Sequence, residues 1–579
     1  MTRFAVWAPR ASDVEVQTGG RRLALVASDS GWHQADDPEA GPGDDYMFVL
    51  DGGVPLPDPR SAWQPRGVHD TSRLLDHTAF PWTDSGWGGR ELPDCVVYEM
   101  HTGTFTPAGT LDGAIERIPD LVALGVTAVD VMPVAAFPGR HGWGYDCVAL
   151  YAVHESYGGP DALRRFVDAC HRAGLAVIMD VVYNHLGPAG NVLGAFGPYF
   201  TSRHRNPWGD ALNVDGAGSD EVRRFIVDNA LMWLRDYHLD GLRLDAVHAI
   251  LDTSAVHLVE EIATRVHALA DELGRRLWVI AESDLNDPRV VREPAEGGYG
   301  CDAQWSDDFH HSLHSALTGE RGGYYADFGE LVDIASALRQ VFVSPGQYSR
   351  FRDRRHGRDV GRLLATRFLG YMQDHDQVGN RARGERTAAL MSLGRLQIAA
   401  ALVLLGPFVP MLFQGEEWAA SSPFQYFTDH QDPLLATAVS EGRRAEFASF
   451  GWKPDDVPDP QDPSTFERSK LDWSEVTDEP HATVLRWHRD LIALRAVNSG
   501  LRDGDRSALF VEHDEAARTL VMRRRGVTVV CNWGDSSFEC HLPAADAITS
   551  AGAWVDDGMI HLHPDSVAVL VSGTAVPTP

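Results

Sequence analysis

Over the first ninety or so residues the chain switches between apolar and polar every one or two positions. "FAVWAP", "VEVQ", "LALVA" and "YMFVLDG" alternate like strands, separated by clusters of Gly, Pro and Asp. The spacing predicts a β-sandwich over residues 1–90. The stretch "GVPLPDPRSAWQPRGVHD" (53–70) has no period and several prolines, so it is expected to be a linker or a loop docked on a neighbour. From Cys95 the period lengthens. Apolar runs of strand length alternate with stretches whose apolar residues recur at helix spacing. "PDALRRFVDACHRAG" runs through Gly174 into "LAVIMDVVYNH", "EVRRFIVDNALMWLRDY" into "GLRLDAV", and "VHLVEEIATRVHALADEL" into "LWVIAES". With "CVVYEMHTGTF", "AVDVMPV", "AQWSDD", "FLGYMQDHD" and "PMLFQGEEW", the strand candidates number eight. Eight strands with helical crossovers predict an α/β fold, a (β/α)8 TIM barrel over residues 91–500 with insertions near 186–219 and 320–365. Past residue 500 short strands return, as in "TLVMRRR" and "VTVVCNW", and predict a C-terminal all-β domain over 501–579.

Composition narrows the function classes. The net charge of −31 argues against nucleic acid or an anionic membrane as partner and suits a neutral substrate. Only Lys453 and Lys470 are lysines, a bias read as a property of the coding sequence. The N-terminus alternates like a strand and lacks a signal-peptide core. The run "IAAALVLLGPFVPMLF" (398–413) is too short and too broken by Gly and Pro to span a membrane, and reads as a buried helix followed by a buried strand. Six scattered Cys show neither CxxC spacing nor a disulfide framework, so a cytoplasmic protein with reduced thiols is expected.

Within "GLRLDAVHAI" (241–250), Arg243 and Asp245 stand two residues apart in an otherwise apolar strand, so they share one face. Alone, the pair reads equally well as a structural ion pair. Other strand ends carry the same kind of group: Asp180, Asn184 and His185; Glu282; Asp374, His375 and Asp376. In a barrel these ends converge on one mouth, which is where active sites sit. Buried charges without a task are costly, so the convergence predicts a polar catalytic cleft. Three carboxylates with an Arg, two His and no nucleophilic Ser or Cys point to glycoside chemistry. A nucleophile must stay ionised, which Arg243 favours for Asp245, whereas an acid needs a more apolar setting, as Glu282 has after "WVIA".

"DVVYNH", "GLRLDAVHAI", "IAES" and "DHDQVGN", in this order and preceded by "GWGYD" (142–146), resemble the signature strands of the α-amylase family of glycoside hydrolases. "FAVWAP", "DPRSAWQPRGVH", "AESDLNDPR", "QWSDDFHHSLH" and "FQGEEWAASSPFQYFTDH" bring the resemblance closest to members that cleave the α-1,4 bond joining a maltooligosaccharide to a terminal trehalose. The resemblance implies Asp245 as nucleophile, Glu282 as acid/base and Asp376 as the third catalytic carboxylate. It implies Tyr145, His185, Arg243 and His375 around the cleaved glucose, and Asp180 and Asn184 as braces. His248 would face the leaving group, with Trp305, Asp308, His310 and His311 as candidate contacts to the trehalose. "DDFHH" reads equally simply as a capped helix start. The front sandwich would resemble a glucan-binding module, and the pathway partner would be the synthase that makes the trehalose-capped substrate. No cofactor and no metal are expected. Asp374 departs from the family, which carries Asn there, and adds a fourth carboxylate. A branching enzyme shares the sandwich, the barrel and the carboxylates, but tends to carry Glu where Gln377 stands. A non-catalytic glucan-binding scaffold is the rival of another class, and all three carboxylates being present speaks against it.

Overall fold

A computed structural model describes residues 2–206, 209–448, 453, 456–542 and 546–572; the last residues of the expected C-terminal domain, 573–579, lie outside them. Eight parallel strands close into a barrel. In chain order they are β1 (Val97–Met100), β2 (Ala128–Val131), β3 (Ala176–Val181), β4 (Gly241–Leu244), β5 (Trp278–Ala281), β6 (Ala303–Trp305), β7 (Phe368–Gly370) and β8 (Val409–Phe413). Each pairs with its neighbours in sequence, and β8 closes on β1 with Leu412 opposite Tyr98. All eight fall within the apolar runs read from the sequence.

Alternation along the strands builds two cores. Trp278 and Ile280 of β5 point into the barrel with Ala128, Ile178, Trp305 and Met411. Val279 and Ala281 point outward, as do Leu242 and Leu244 of β4, into the larger core beneath the helices. Gly241 lets two strands approach closely, because a Cβ there would lie 3.2–3.3 Å from the carbonyl oxygen and side chain of Trp278 and would crowd them. The helices Gly159–Arg172, Ser219–Asp236 and Leu258–Leu273 lead into β3, β4 and β5. The run 398–413 divides as expected into the end of helix Leu393–Leu405, which is buried, and strand β8.

One crossover differs from expectation. Between β5 and β6 the chain forms only the single turns Pro288–Val290 and Pro294–Glu296. The segment carries two prolines and Gly297–Gly298, and neither residue type sustains a helix.

Two antiparallel sheets precede the barrel, one of three strands and one of four. "LALVA" is split between them. Arg21–Ala24 pairs with Val14–Thr18 in one sheet, and Val26–Ala27 pairs with Trp32–Asp37 in the other. Buried Leu25 is the pivot. The aperiodic stretch 53–70 is docked on the barrel side: Arg60 donates to Tyr151 and Asp228, and Trp63 to Glu155. After the barrel come antiparallel sheets of five and three strands. No helix among the described residues is long and apolar enough to cross a membrane.

The segment that enters β1 crosses the lower end of the barrel under a buried clamp. His171 bonds Asp84 (2.8 Å) through Nδ1 and Asp240 (2.9 Å) through Nε2, and His238 also bonds Asp84. Trp87 stacks on His171 at 4.7 Å and donates to Asp240. Burial opposes a charge on His171, but Asp240 and Asp84 outweigh it and raise its pKa. Burial likewise opposes the Asp84 charge, and His171 and His238 outweigh it, lowering its pKa. Stability from a raised His is present in full below its unfolded value and is lost as pH rises through the raised one. Stability from a lowered Asp is present above its unfolded value and is lost as pH falls. The clamp therefore holds best between 3.8 and 6.5, the unperturbed Asp and His values. In urea unfolding, His171→Gln should cost more stability at about pH 5.5 than at about pH 9; an equal cost at both would show the His–Asp charge to be irrelevant.

Candidate active site

The ends of the strands meet around one guanidinium. Arg243, 1% exposed, lies over the Trp305 ring at 4.3 Å inside the barrel mouth. Its Nη1 bonds Asp180 Oδ2 at 2.6 Å and Asp245 Oδ1 at 2.8 Å, while Nη2 lies 3.2 Å from Glu282 Oε2. β3, β4 and β5 are adjacent in register, Asp180 beside Arg243 and Arg243 beside Ile280, which is why the three carboxylates reach one cation. Burial works against the charge on Arg243, but the surrounding acids hold it in place.

The chain turns sharply after Asp245. Ala246 adopts a left-handed conformation, φ 40°, which costs a non-glycine residue of order 1–3 kcal/mol. The turn aims the Ala246 N–H at Glu282 Oε2, 2.6 Å away. Asn184 donates to Asp245 Oδ2 at 2.7 Å, fixing the rotation of that carboxylate. Glu282 differs electrostatically: burial raises its pKa against the pull of Arg243, and Asp245 and Asp376 raise it further. Asp180 is pushed up to about 7 by burial against Arg243, and it accepts the Tyr145 hydroxyl at 2.5 Å.

His375 is held from below. Glu99 of β1 accepts from the backbone N–H of His375 at 3.0 Å and pairs with its Nδ1 at 2.5 Å. That leaves Nε2 on the side of Asp376, 3.6 Å from Oδ1. Burial disfavours the imidazolium, but Glu99 and Asp376 outweigh it and lift the pKa to about 10. His375 is thus a cationic donor at neutral pH, stacked on Tyr145 at 5.1 Å. Asp374 turns away from the cleft. It is buried, caps the N–H of Gln377 at 2.7 Å, and burial and Glu99 push its pKa well above the ordinary value. Burial thus disfavours a fourth negative charge here, and the side chain serves as the N-cap of the short helix that follows.

Of the residues read from the sequence, Tyr145, His185, Asp245, His248, Glu282, His375 and Asp376 line one cleft of about 330 Å³. Arg243 lies beneath it. Trp305, Asp308 and His310 are not brought to the cleft, contrary to expectation. Trp305 is the buried floor under Arg243. Asp308 accepts from Asn286 and from the backbone of Val343 and Ser344, bracing the excursion before β7. His310 is fully buried between the Met372 carbonyl and the Tyr325 hydroxyl. His311 is buried among Tyr324, Tyr325 and Phe328. Helix Asp307–Thr318 turns these groups inward, and the sequence carries no marker of which face that would be. The sequence reading missed Glu99, although a lone acid in the apolar run "CVVYEM" is the same signal that exposed Arg243 and Asp245. It also missed the far wall of the cleft, where half-buried Tyr426 is backed by the buried rings of Phe137, Trp143 and Phe427. Among the described residues no group of three or more His, Cys, Asp or Glu side chains is placed to hold a metal ion.

This geometry has close relatives. The alpha amylase catalytic-domain model matches residues 78–194. A malto-oligosyltrehalose trehalohydrolase of Arthrobacter ramosus is 57% identical over 498 residues, spanning 85% of this chain and 87% of that one. Its namesake from Mycobacterium tuberculosis is 52% identical over 541 residues, spanning 92% and 93%. A crystal structure from Salmonella typhimurium, provisionally named an alpha amylase, superposes with a TM-score of 0.89 at 37% identity, covering 99% of this chain and 97% of that one. With barrel, carboxylates and full-length similarity in agreement, the chain belongs to the malto-oligosyltrehalose trehalohydrolase family of alpha-amylase-type glycoside hydrolases.

Proposed function

We propose that the protein is a retaining glycoside hydrolase that cleaves the α-1,4 bond next to the terminal trehalose of maltooligosyltrehalose, releasing trehalose and a maltooligosaccharide. The observation that carries the chemistry is the shared guanidinium: Arg243 bonds Asp245 and sits 3.2 Å from Glu282. A common cation draws the two carboxylates together, as retaining chemistry needs (roughly 5–5.5 Å apart). It also sits directly on Asp245, as a nucleophilic carboxylate needs, while burial raises the pKa of Glu282, as an acid needs.

In this reading Asp245 attacks the anomeric carbon of the glucose next to the trehalose. Glu282 passes its proton to the glycosidic oxygen, and trehalose leaves with that oxygen. The sugar stays bound to Asp245 as a glycosyl ester. Water then attacks the same carbon, Glu282 takes its proton back, and the maltooligosaccharide leaves with its α configuration retained. Asp376 grips sugar hydroxyls as the ring flattens, and cationic His375 and His185 donate to others. Tyr145 offers a stacking face, and His248 lies towards the leaving group. Asp180 and Asn184 brace Arg243 and Asp245. The aromatic wall of the cleft suits the maltooligosaccharide portion, and a neutral sugar chain suits a protein of net charge −31. The reaction needs a synthase upstream to make the trehalose-capped substrate, and the thiols, five of six buried and all unpaired, suit a cytoplasmic setting. The domain boundaries we assign are 1–90, 91–500 and 501–579.

The decisive experiment compares maltotriosyltrehalose with maltopentaose as substrates. Trehalose and maltotriose from the first, with slow or no cleavage of the second, is the expected result; longer or branched glucans would make the protein a transferase. Asp245→Asn should lower kcat by about 10³-fold or more with an unchanged thermal melt. Near-normal turnover in that variant would remove Asp245 from the role of nucleophile. Glu282→Gln should lose about 10²–10⁴-fold on the natural glycoside yet keep much of its activity on a glycosyl fluoride, whose leaving group needs no proton. Equal losses on both substrates would count against an acid role.

A further inference from the structure

Asp376 is the least supported of the three carboxylates. Its side chain is 46% exposed, whereas those of Asp245 and Glu282 are 12% and 18% exposed. Among the described residues its side chain meets His375 Nε2 at 3.6 Å and accepts from Asn380 Nδ2 at 3.2 Å. An exposed carboxylate with so few contacts has rotational freedom, and catalysis by charge placement needs that freedom removed beforehand. Asn380 is itself exposed at the end of the short helix His375–Gly379, so its amide also needs an anchor.

The anchor comes from outside the barrel. Helix Pro433–Ala448 follows the aromatic segment that walls the cleft and turns Arg443 back under the end of the short helix that carries Asp376. Arg443 Nη2 donates to the carbonyls of Gly379 (2.7 Å) and Arg381 (3.3 Å), the residues on either side of Asn380. Its Nη1 donates to Asn380 Oδ1 at 3.4 Å. Only 9% of the Arg443 side chain is exposed, and its guanidinium lies over the rings of Tyr426 (5.4 Å) and Phe447 (4.6 Å). Its carboxylate neighbour, Glu446, is 3.5 Å away and half exposed. A buried Arg facing carbonyls more than acids is costly to keep for stability alone. The fork geometry explains the choice of residue: one planar group must meet two carbonyls and one amide oxygen in fixed directions.

We propose that Arg443 is a positioning residue for Asp376: by holding the Asn380 side-chain oxygen and the carbonyls that flank it, it turns the Asn380 amide nitrogen onto the carboxylate. Because Arg443 also packs against Tyr426, the same contact sets the distance between Asp376 and the aromatic wall of the cleft. The role of Asp376 rests on the function proposed above, so the test separates the two.

Steady-state constants on maltotriosyltrehalose are measured for Asn380→Ala, Arg443→Ala, the double variant and Asp376→Asn, with thermal melts of each. Each single variant should lower kcat about ten- to thirtyfold and change KM less than about threefold, because the group acts when charge develops. The double variant should lose no more than the worse single one, since both break the same chain of contacts. Guanidinium ion should restore part of the kcat of Arg443→Ala and none of that of Asn380→Ala. Should Arg443→Ala melt early, Arg443→Lys keeps the charge but not the fork and should still lose kcat. Wild-type kcat in Asn380→Ala, or multiplicative losses in the double variant, would overturn the inference. If Asp376→Asn is meanwhile inactive, the proposed function stands without it; full turnover in Asp376→Asn would remove the role given to Asp376 and the inference with it, while leaving the trehalohydrolase reaction in place.

Discussion

One buried guanidinium holds the mouth of this barrel together. Arg243 lies on Trp305 and faces Asp180, Asp245 and Glu282. Three carboxylates in so small a volume would repel one another strongly at low dielectric, and taking them out of water is costly in its own right. The single cation offsets that repulsion, and burial together with the neighbouring acids raises the pKa of Asp180 and Glu282 against its pull. Asp245 and Glu282 thus differ in their surroundings. Arg243 bonds the oxygen of Asp245 directly, while Glu282 is reached at longer range and takes its other partner from a backbone N–H.

The same logic repeats on the opposite side of the mouth with the signs exchanged. There a carboxylate, Glu99, holds a cation, His375, and aims it. Each pair has one member on a barrel strand, Arg243 or Glu99, and both are kept from water, so the polar groups are oriented before a sugar arrives. Asp376 lies in the short helix His375–Gly379 at the rim. Its support comes from a helix that follows β8 and reaches back across the chain. Strand ends therefore carry the groups clustered on Arg243, and an added excursion of the chain completes the rim.

Much of the barrel was legible because its signals are local. A strand pair separated by a helix announces itself by a change of period, and charges within an apolar strand announce the mouth. The crossover from β5 to β6 escaped because two prolines and a pair of glycines suppress the helix that the repeating pattern suggests. Trp305, Asp308 and His310 were placed at the cleft on the strength of resemblance. Burial decided otherwise: Trp305 faces the barrel axis below Arg243, and the helix that follows turns Asp308 and His310 towards protein partners. Asp374 was counted as a charge, and only the structure shows it as a buried cap whose pKa is pushed up.

The sequence by itself determined the order and type of most of the elements and marked the polar groups at the strand ends. Period, turn residues and charge in an apolar run act over a few neighbouring positions, and those neighbours are fixed by the covalent chain. The tertiary structure decided which acids share a cation, which histidine is charged, and which side chains face the cleft instead of the interior. Those outcomes depend on groups hundreds of residues apart, such as Glu99 and His375, meeting where water is excluded. Desolvation and Coulomb energy exist only once the barrel has closed, so no local pattern of residues can contain them.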